Sequence, residues 1–365
     1  MTRFALKLIL LILLIASIGI VTIYSSTAAS ASLLEKQLFW RQITWLLLGF
    51  ICLLVVSGIS YRRLWDFAYL LYGIGVLFLI MVAFLGLIRL GAQRWLKIFW
   101  FNFQPSELMK LIVVIFLARY FSNPGRGLRQ QVQSWGFTKA VLIPLAFVSL
   151  PVFLILEQPD LGTAAFIFFI FIAMLFVAQV ELKYILFVLS GIILVSPLLW
   201  HLLKDYQKAR LLVFVNPDAD PLGAGYTIIQ SKTAVASGGL FGKGWLGGSQ
   251  SQLHFLPESH TDFIFATFAE EWGLVGSLIL LLLYYLLIRS ALRVAQRAPD
   301  YFGRLLASGV ALLLTIQLFI NVAMTIGLAP VVGLPLPLLS YGGSCLLVTF
   351  LCVGILINIE KRIAL

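Results

Sequence analysis

Three titratable side chains fall within five positions in the stretch Leu256-Pro-Glu-Ser-His-Thr-Asp-Phe263: Glu258, His260 and Asp262. Two carboxylates and an imidazole are groups that take up, release or hold a proton. They close a polar, glycine-rich segment and open an apolar run. The neighbouring chain is almost uncharged over long distances, so such a cluster where the chain leaves a bilayer reads as a site. The competing reading is an interfacial cap, because a carboxylate at Asp262 is also favoured near a helix N-terminus.

The elements that position these groups must be membrane helices. The 365 residues are 61% hydrophobic and 11% charged, with a mean hydropathy of +1.02. A water-facing domain of this length needs far more charge. The apolar residues are spread over nearly the whole chain, which implies one membrane domain over residues 1–365 and no separate soluble domain. The net charge of +11 suits anionic head groups, lipid phosphates and cytoplasmic-side loops. No basic run with interleaved aromatics points to nucleic acid. Cys52, Cys345 and Cys352 fall in or beside apolar runs at no metal spacing and read as small apolar packers. Arg3 and Lys7 precede a long apolar run with no small-residue cleavage site, which reads as a retained first span.

An apolar run of about twenty residues crosses a ~30 Å hydrocarbon core. That rule gives an all-α polytopic protein with about ten transmembrane helices, near 5–25, 43–60, 66–88, 105–121, 138–156, 161–180, 182–202, 262–288, 304–327 and 343–359. With both ends cytoplasmic, fifteen Lys and Arg fall on inner connections, among them Arg126 and Arg129, and six on short outer ones. That asymmetry is the one expected of a plasma-membrane protein. The remaining five lie in one long extracytoplasmic loop, about 203–261, between helices 7 and 8. Its apolar stretches argue against disorder, and 225–237 has the pattern of a short amphipathic interfacial helix. Gly238, Gly239, Gly242, Gly244, Gly247 and Gly248 then follow. They suit close backbone approach to a ligand, a plain connector, or the hinge of a mobile lid.

Other polar groups need a reason to be in or beside spans. Glu107 and Lys110 stand at i, i+3 on one helix face, as a self-neutralising pair or as the wall of a polar cavity. Asp160, in Gln158-Pro-Asp-Leu-Gly-Thr163, suits a helix N-cap. Glu270 and Glu271 lie about 12–13 Å along a helix past Asp262, and at least one must face protein or carry a proton. The segment 327–344 is apolar yet broken by three prolines and four glycines, with Ser340-Tyr-Gly-Gly-Ser344 at its end. Irregular backbone at this depth must be buried in protein or line a cavity, which here implies packing under the long loop.

At these residues the chain resembles the SEDS family (shape, elongation, division and sporulation). The resemblance covers nearly the whole chain. It rests on Asn321 to Ser344, Gly91-Ala-Gln-Arg-Trp95, Gln104-Pro-Ser-Glu-Leu-Met-Lys110, Gln158 to Thr163 and Leu256 to Phe265. Gln230-Ser-Lys232, Gly239 to Trp245 and Glu270-Glu-Trp-Gly273 are more similar to elongation-type than to division-type members. Cys345 departs from the commoner small residue. The resemblance implies a peptidoglycan glycosyltransferase that polymerises lipid II, an undecaprenyl-diphosphate-linked disaccharide-pentapeptide, on the outer face of the plasma membrane. It implies a class B penicillin-binding protein as partner, other elongation-complex membrane proteins nearby, and Asp262 as the essential acid.

The residues suit that chemistry. A sugar 4-hydroxyl is a poor nucleophile and calls for one positioned carboxylate as general base. The diphosphate leaving group is already acidic and calls for positive charge. Asp262 is the expected base, with Glu258 second and His260 orienting. Arg210, Lys232, Lys243, Arg94 and Lys97 are the candidate diphosphate contacts, Arg210 and Lys232 foremost. Glu107, Lys110, Asp160, Gln230 and Ser340 complete the expected substrate-binding set. A divalent cation, Mg²⁺ or Mn²⁺, is compatible with the leaving group, and ligand spacing identifies none. Two other functions fit a polytopic protein: a lipid-linked precursor flippase, and a non-catalytic scaffold that activates a penicillin-binding protein. No repeat relates the two halves, which disfavours the flippase, and an acid beside cations disfavours the scaffold.

Overall fold

The computed structural model describes residues 3–28, 32–89, 92–98, 101–122, 132, 135–223 and 225–363. Gly91, Arg126 and Arg129 lie outside these. In chain order the helices are α1 (Arg3–Ala28), α2 (Leu33–Gly58), α3 (Arg62–Leu85), α4 (Pro105–Phe121), α5 (Ile143–Glu157, entered through a π-helical turn at Thr138–Leu142), α6 (Leu161–Val177) and α7 (Leu182–Leu202). The long connection holds α8 (Asp205–Val215), a 3₁₀ turn at Pro217–Ala219, α9 (Tyr226–Ser237) and α10 (Ser249–Gln252). The chain ends with α11 (Ile264–Arg297), α12 (Tyr301–Thr325) and α13 (Gly343–Ile363).

Every expected span falls on a helix. Among the described residues, seven helices are long and apolar enough to cross a membrane on those grounds alone; α6 and the Leu182–Leu198 part of α7 are shorter apolar stretches, and α4 carries Glu107 and Lys110. Two features differ from expectation. A three-stranded antiparallel meander, β1 (Leu87–Arg89), β2 (Ala92–Ile98) and β3 (Phe101–Phe103), occupies the connection after α3. The span expected at 262–288 starts at Ile264 and runs to Arg297, with a break at Gly273.

The chain forms two compact units. The first comprises residues 1–51, 203–289 and 317–349; the second comprises 52–202, 290–316 and 350–365. In the second, Phe116, Phe166 and Phe171 are fully buried, and the bare face of Gly75 admits Met109 and Ile112. The Tyr72 hydroxyl donates to Phe147 O at 2.6 Å and Gln158 Nε2 to Leu79 O at 3.0 Å, tying α3 to α5 and its C-terminal turn. In the first unit, Gly19 of α1 lies against the backbone of Leu338 and Leu339, and Gly343 against the Trp45 ring. These contacts help bury residues 336–340 of the irregular 326–342 segment among helices, as membrane-depth backbone requires.

Candidate functional site

The stretch from Glu258 to Phe263 is a tight turn ahead of α11. Glu258 adopts the left-handed conformation (φ 52°), and its carbonyl accepts from Thr261 N at 3.1 Å and Phe263 N at 3.3 Å. The next carbonyls are fixed from outside. His260 O accepts from Tyr341 N at 2.9 Å, Thr261 O from Ser340 Oγ at 2.6 Å, and Asp262 O from Asn321 Nδ2 at 2.9 Å. Three successive carbonyls are therefore held by the 321–341 region. Ser340 Oγ also accepts from Leu336 N at 2.7 Å, and Asn321 Nδ2 also donates to Leu334 O at 2.8 Å. Two carbonyl partners fix which way the fully buried Asn321 amide points. Beneath the turn lies an apolar floor of Ala234, Leu256, Phe263 and Ala266 with Val235 and Val331.

The Asp262 carboxylate is half-buried and lies over Gly333, so close that a Cβ there would sit 3.3 Å from Oδ2. Gly333 has φ +71°, a conformation glycine adopts without cost. The irregular segment that holds Gly333 also meets a cation, at Gly327. Lys232 of α9 lays its stem across Gly327, where a Cβ would be 2.9 Å from Cδ. The Ser231 hydroxyl pins α9 there by donating to Thr325 O at 2.7 Å. Lys232 is exposed, and among the described residues no partner for its ammonium is recorded. Arg210 is exposed on α8, and Gln230 is half-buried on α9. Glu258 is exposed and accepts from Thr261 Oγ1 at 2.9 Å. Burial holds the His260 imidazole below its ordinary pKa, against the charges of Glu258 and Glu35 that pull it up.

The glycine-rich segment has a different task from ligand approach. The break in α11 at Gly273 (φ +64°) frees backbone groups that a bilayer cannot hydrate. Lys243 N and Gly244 N donate to Glu270 O and Glu271 O, both at 3.0 Å. Leu274 N and Val275 N donate to Gly239 O and Leu240 O, at 2.9 and 3.1 Å. Side chains at Gly238 or Gly242 would strike the carbonyls of Ala269 or Glu271. Buried Glu270 completes the clasp: Oε1 accepts from Lys243 Nζ at 2.7 Å, Ser249 Oγ at 3.0 Å and Gln250 N at 3.1 Å. Glu271 accepts from Ser25 Oγ of α1. Both glutamates face protein, and the Lys243 ammonium is engaged by Glu270.

The remaining expected residues lie in the second unit. Asp160 caps α6, accepting from Thr163 N at 3.2 Å and Thr163 Oγ1 at 2.9 Å. Arg94 Nε donates to Gln158 O at 3.2 Å, and its guanidinium reaches Pro159 O and, at 3.8 Å, the Asp160 carboxylate. Lys97 is exposed on β2. Glu107 and Lys110 form a buried ion pair at 2.8 Å, with the ammonium also 4.9 Å from the centre of the Phe166 ring. Both acids thus have internal partners.

These observations can be set beside known proteins. A family model described as "Cell cycle protein", for FtsW, RodA and SpoVE, matches residues 5–364. The chain belongs to this family. It is 42% identical to the peptidoglycan glycosyltransferase MrdB of Escherichia coli K12, over 97% of this chain and 92% of that protein. It is 36% identical to stage V sporulation protein E of Bacillus subtilis, over 98% and 96%. Among solved structures, a chain of a peptidoglycan synthase complex that coordinates polymerisation and crosslinking matches with a TM-score of 0.81 at 32% identity, over 98% and 97%. Thermus thermophilus RodA matches with a TM-score of 0.70 at 30% identity, over 98% and 96%. As an FtsW/RodA/SpoVE protein, the chain is multi-pass in a membrane.

Sequence reasoning passed over Asn321 and Gly333 as site residues. Each was visible only as part of a longer motif. A carboxamide inside an apolar span is a signal in its own right, because it demands buried partners.

Proposed function

We infer that this chain is a peptidoglycan glycosyltransferase that polymerises lipid II into glycan strands for cell elongation. One observation carries the site: Asp262 is held through three consecutive backbone carbonyls above Gly333, in the irregular segment whose Gly327 meets the Lys232 stem. That arrangement brings one carboxylate and one exposed cation to the same irregular segment. Asp262 accepts the proton of the acceptor sugar's 4-hydroxyl as that oxygen attacks the donor's anomeric carbon. The bond to the diphosphate breaks, and a single displacement inverts the centre. Lys232 and Arg210 receive the diphosphate, where positive charge stabilises the leaving group. Gln230 lies on α9 beside Lys232, and Ser340 supports the Asp262 turn. Lys243 serves the clasp around Gly273, and Glu107, Lys110, Arg94 and Asp160 shape the second unit.

A divalent cation fits this donor set in one way. Mg²⁺ is commonly held by one or two carboxylates, with substrate phosphates and water completing the shell. Among the described residues no three His, Cys, Asp or Glu side chains converge. Asp262 would be the protein's ligand, and a bound cation would add positive charge at the diphosphate. The excess of Lys and Arg on one set of connections supports both termini in the cytoplasm of a bacterial plasma membrane and Asp262 on the outer face. The partner is a class B penicillin-binding protein, in line with the matched synthase complex.

The test is incubation of labelled lipid II with the purified chain and a penicillin-binding partner whose transpeptidase serine is replaced. The reading predicts glycan polymer that depends on this chain. Lipid II crossing liposome membranes without polymer would establish the flippase instead, and polymer formed equally without the chain would overturn the assignment.

A further inference from the structure

The second unit contains a cleft of ≈ 140 Å³ that the reading above does not use. That is about ten times the space one water needs, ~10–15 Å³. Its polar walls are Arg304 and Tyr301 of α12, Gln296 of α11 and Gln179 after α6; Leu292 and Val177 form apolar wall. It lies where α6 and α11 end and α12 begins.

Three features make it a site for an anion. Arg304 is exposed; among the described residues its guanidinium meets no carboxylate or hydrogen-bond acceptor, and its one electrostatic neighbour is Tyr301 on the same cleft wall. The nearby acids are occupied: Asp300 accepts from Tyr61 Oη at 2.6 Å, Gly303 N at 2.7 Å and Arg62 Nε at 3.4 Å, and Glu360 interacts with Arg293 and Arg297. The cleft also borders the first turn of α12, the helix end that favours negative charge. Gln179 adds an oddity. It takes the left-handed position that closes α6 (φ +60°), with Val180 N donating to Leu175 O at 3.1 Å. Glycine normally fills that position. Glutamine there places an amide on the cleft wall at a conformational cost.

The wall formed by Leu292 is 45% exposed and continues the apolar flank of α11, as 70%-exposed Phe176 does for α6. An anion with an attached acyl chain satisfies both walls, whereas an acidic peptide would leave the apolar one unused. We propose that the cleft binds the phosphate head group of an anionic phospholipid, with Arg304 as its principal contact. Basic pockets between membrane helices hold such head groups.

The experiment is native mass spectrometry of the full chain, delipidated and titrated with phosphatidylglycerol or phosphatidylcholine. Wild type, Arg304→Gln, Arg304→Lys and Gln296→Leu are compared, with melting temperature checking the fold. One phosphatidylglycerol should bind preferentially to wild type. Arg304→Gln should weaken that preference roughly fivefold, the effect of one cation near an anionic surface, and Arg304→Lys should largely restore it. Gln296→Leu gives a second reading if Arg304→Gln misfolds, and should weaken binding by a smaller factor. Equal binding of the two lipids by wild type, or unchanged preference in both Arg304→Gln and Gln296→Leu, would overturn the proposal. Displacement of the lipid by inorganic phosphate would reassign the cleft to a free anion, and displacement by polyglutamate would reassign it to a protein partner.

Discussion

Replacing Asn321 by alanine tests whether the Asp262 carboxylate depends on a backbone mount. The Asn321 amide is fully buried and donates to Asp262 O at 2.9 Å and Leu334 O at 2.8 Å. Its loss orphans one buried carbonyl, at about 1–3 kcal/mol, and one half-buried carbonyl, at less. The Leu334 carbonyl cost appears as stability, seen as a lowered melting temperature. At Asp262 the missing bond also loosens the residue that carries the carboxylate, though Thr261 O and His260 O remain held. A misplacement of about 1 Å at a reacting group costs on the order of 10²-fold in rate. Lipid II polymerisation by Asn321→Ala with its partner should therefore fall roughly 10- to 100-fold in kcat, with KM changed far less. Asn321→Asp should do no better, because a carboxylate cannot donate to either carbonyl. Asn321→Ala within threefold of wild-type kcat, with a melting temperature several degrees lower, would show that Asp262 is placed without Asn321 and refute the reasoning.

Three further outcomes follow from the same geometry. Gly333→Ala should reduce polymerisation more than tenfold, since it adds a Cβ 3.3 Å from Asp262 Oδ2 and a left-handed alanine costs about 1–2 kcal/mol; Gly191→Ala, with open space around it, should leave turnover unchanged in the same assay. Glu270→Gln should lower stability by about 1–3 kcal/mol in a melting experiment, less than the 3–5 of a fully buried broken pair because Lys243 is 30% exposed, and Glu270→Gln with Lys243→Met should recover part of it. Burial holds the folded His260 pKa below its ordinary 6.5, so the unfolded chain binds a proton that the folded chain refuses. Stability should therefore be full above about pH 6.5 and decline as pH falls below it, and melting curves of His260→Gln should lose that part of the slope.

Much of this was legible in the residues. Composition and twenty-residue apolar runs located the helices, because a bilayer imposes length and hydropathy locally. The i, i+3 spacing of Glu107 and Lys110 and the Pro-Asp sequence before α6 announced their pair and cap. What stayed hidden depends on partners distant in sequence. Lys243 read as a free outer-face cation because its counter-charge, Glu270, lies 27 positions on in a span. The glycines of 238–248 read as a hinge or ligand cradle because the break they fill, at Gly273, looks like ordinary helix sequence. Within the 203–261 connection, residues 239–244 and 249–250 bond to α11, partners that lie some thirty positions on in the sequence. Three-residue strands such as Leu87–Arg89 are too short to show alternation. Asn321 and Gly333 belong to a signature whose purpose appears only when 321–341 folds back onto 260–262.

The most direct test is to compare wild type with Asp262→Asn for two quantities: affinity for lipid II and turnover to polymer. Asparagine keeps the shape and the backbone bonds but cannot accept the hydroxyl proton. General-base catalysis by Asp262 predicts near-normal assembly and binding with polymerisation reduced by about 10²-fold or more. Polymerisation by Asp262→Asn at the wild-type rate would contradict the account and leave Asp262 as a helix-end carboxylate.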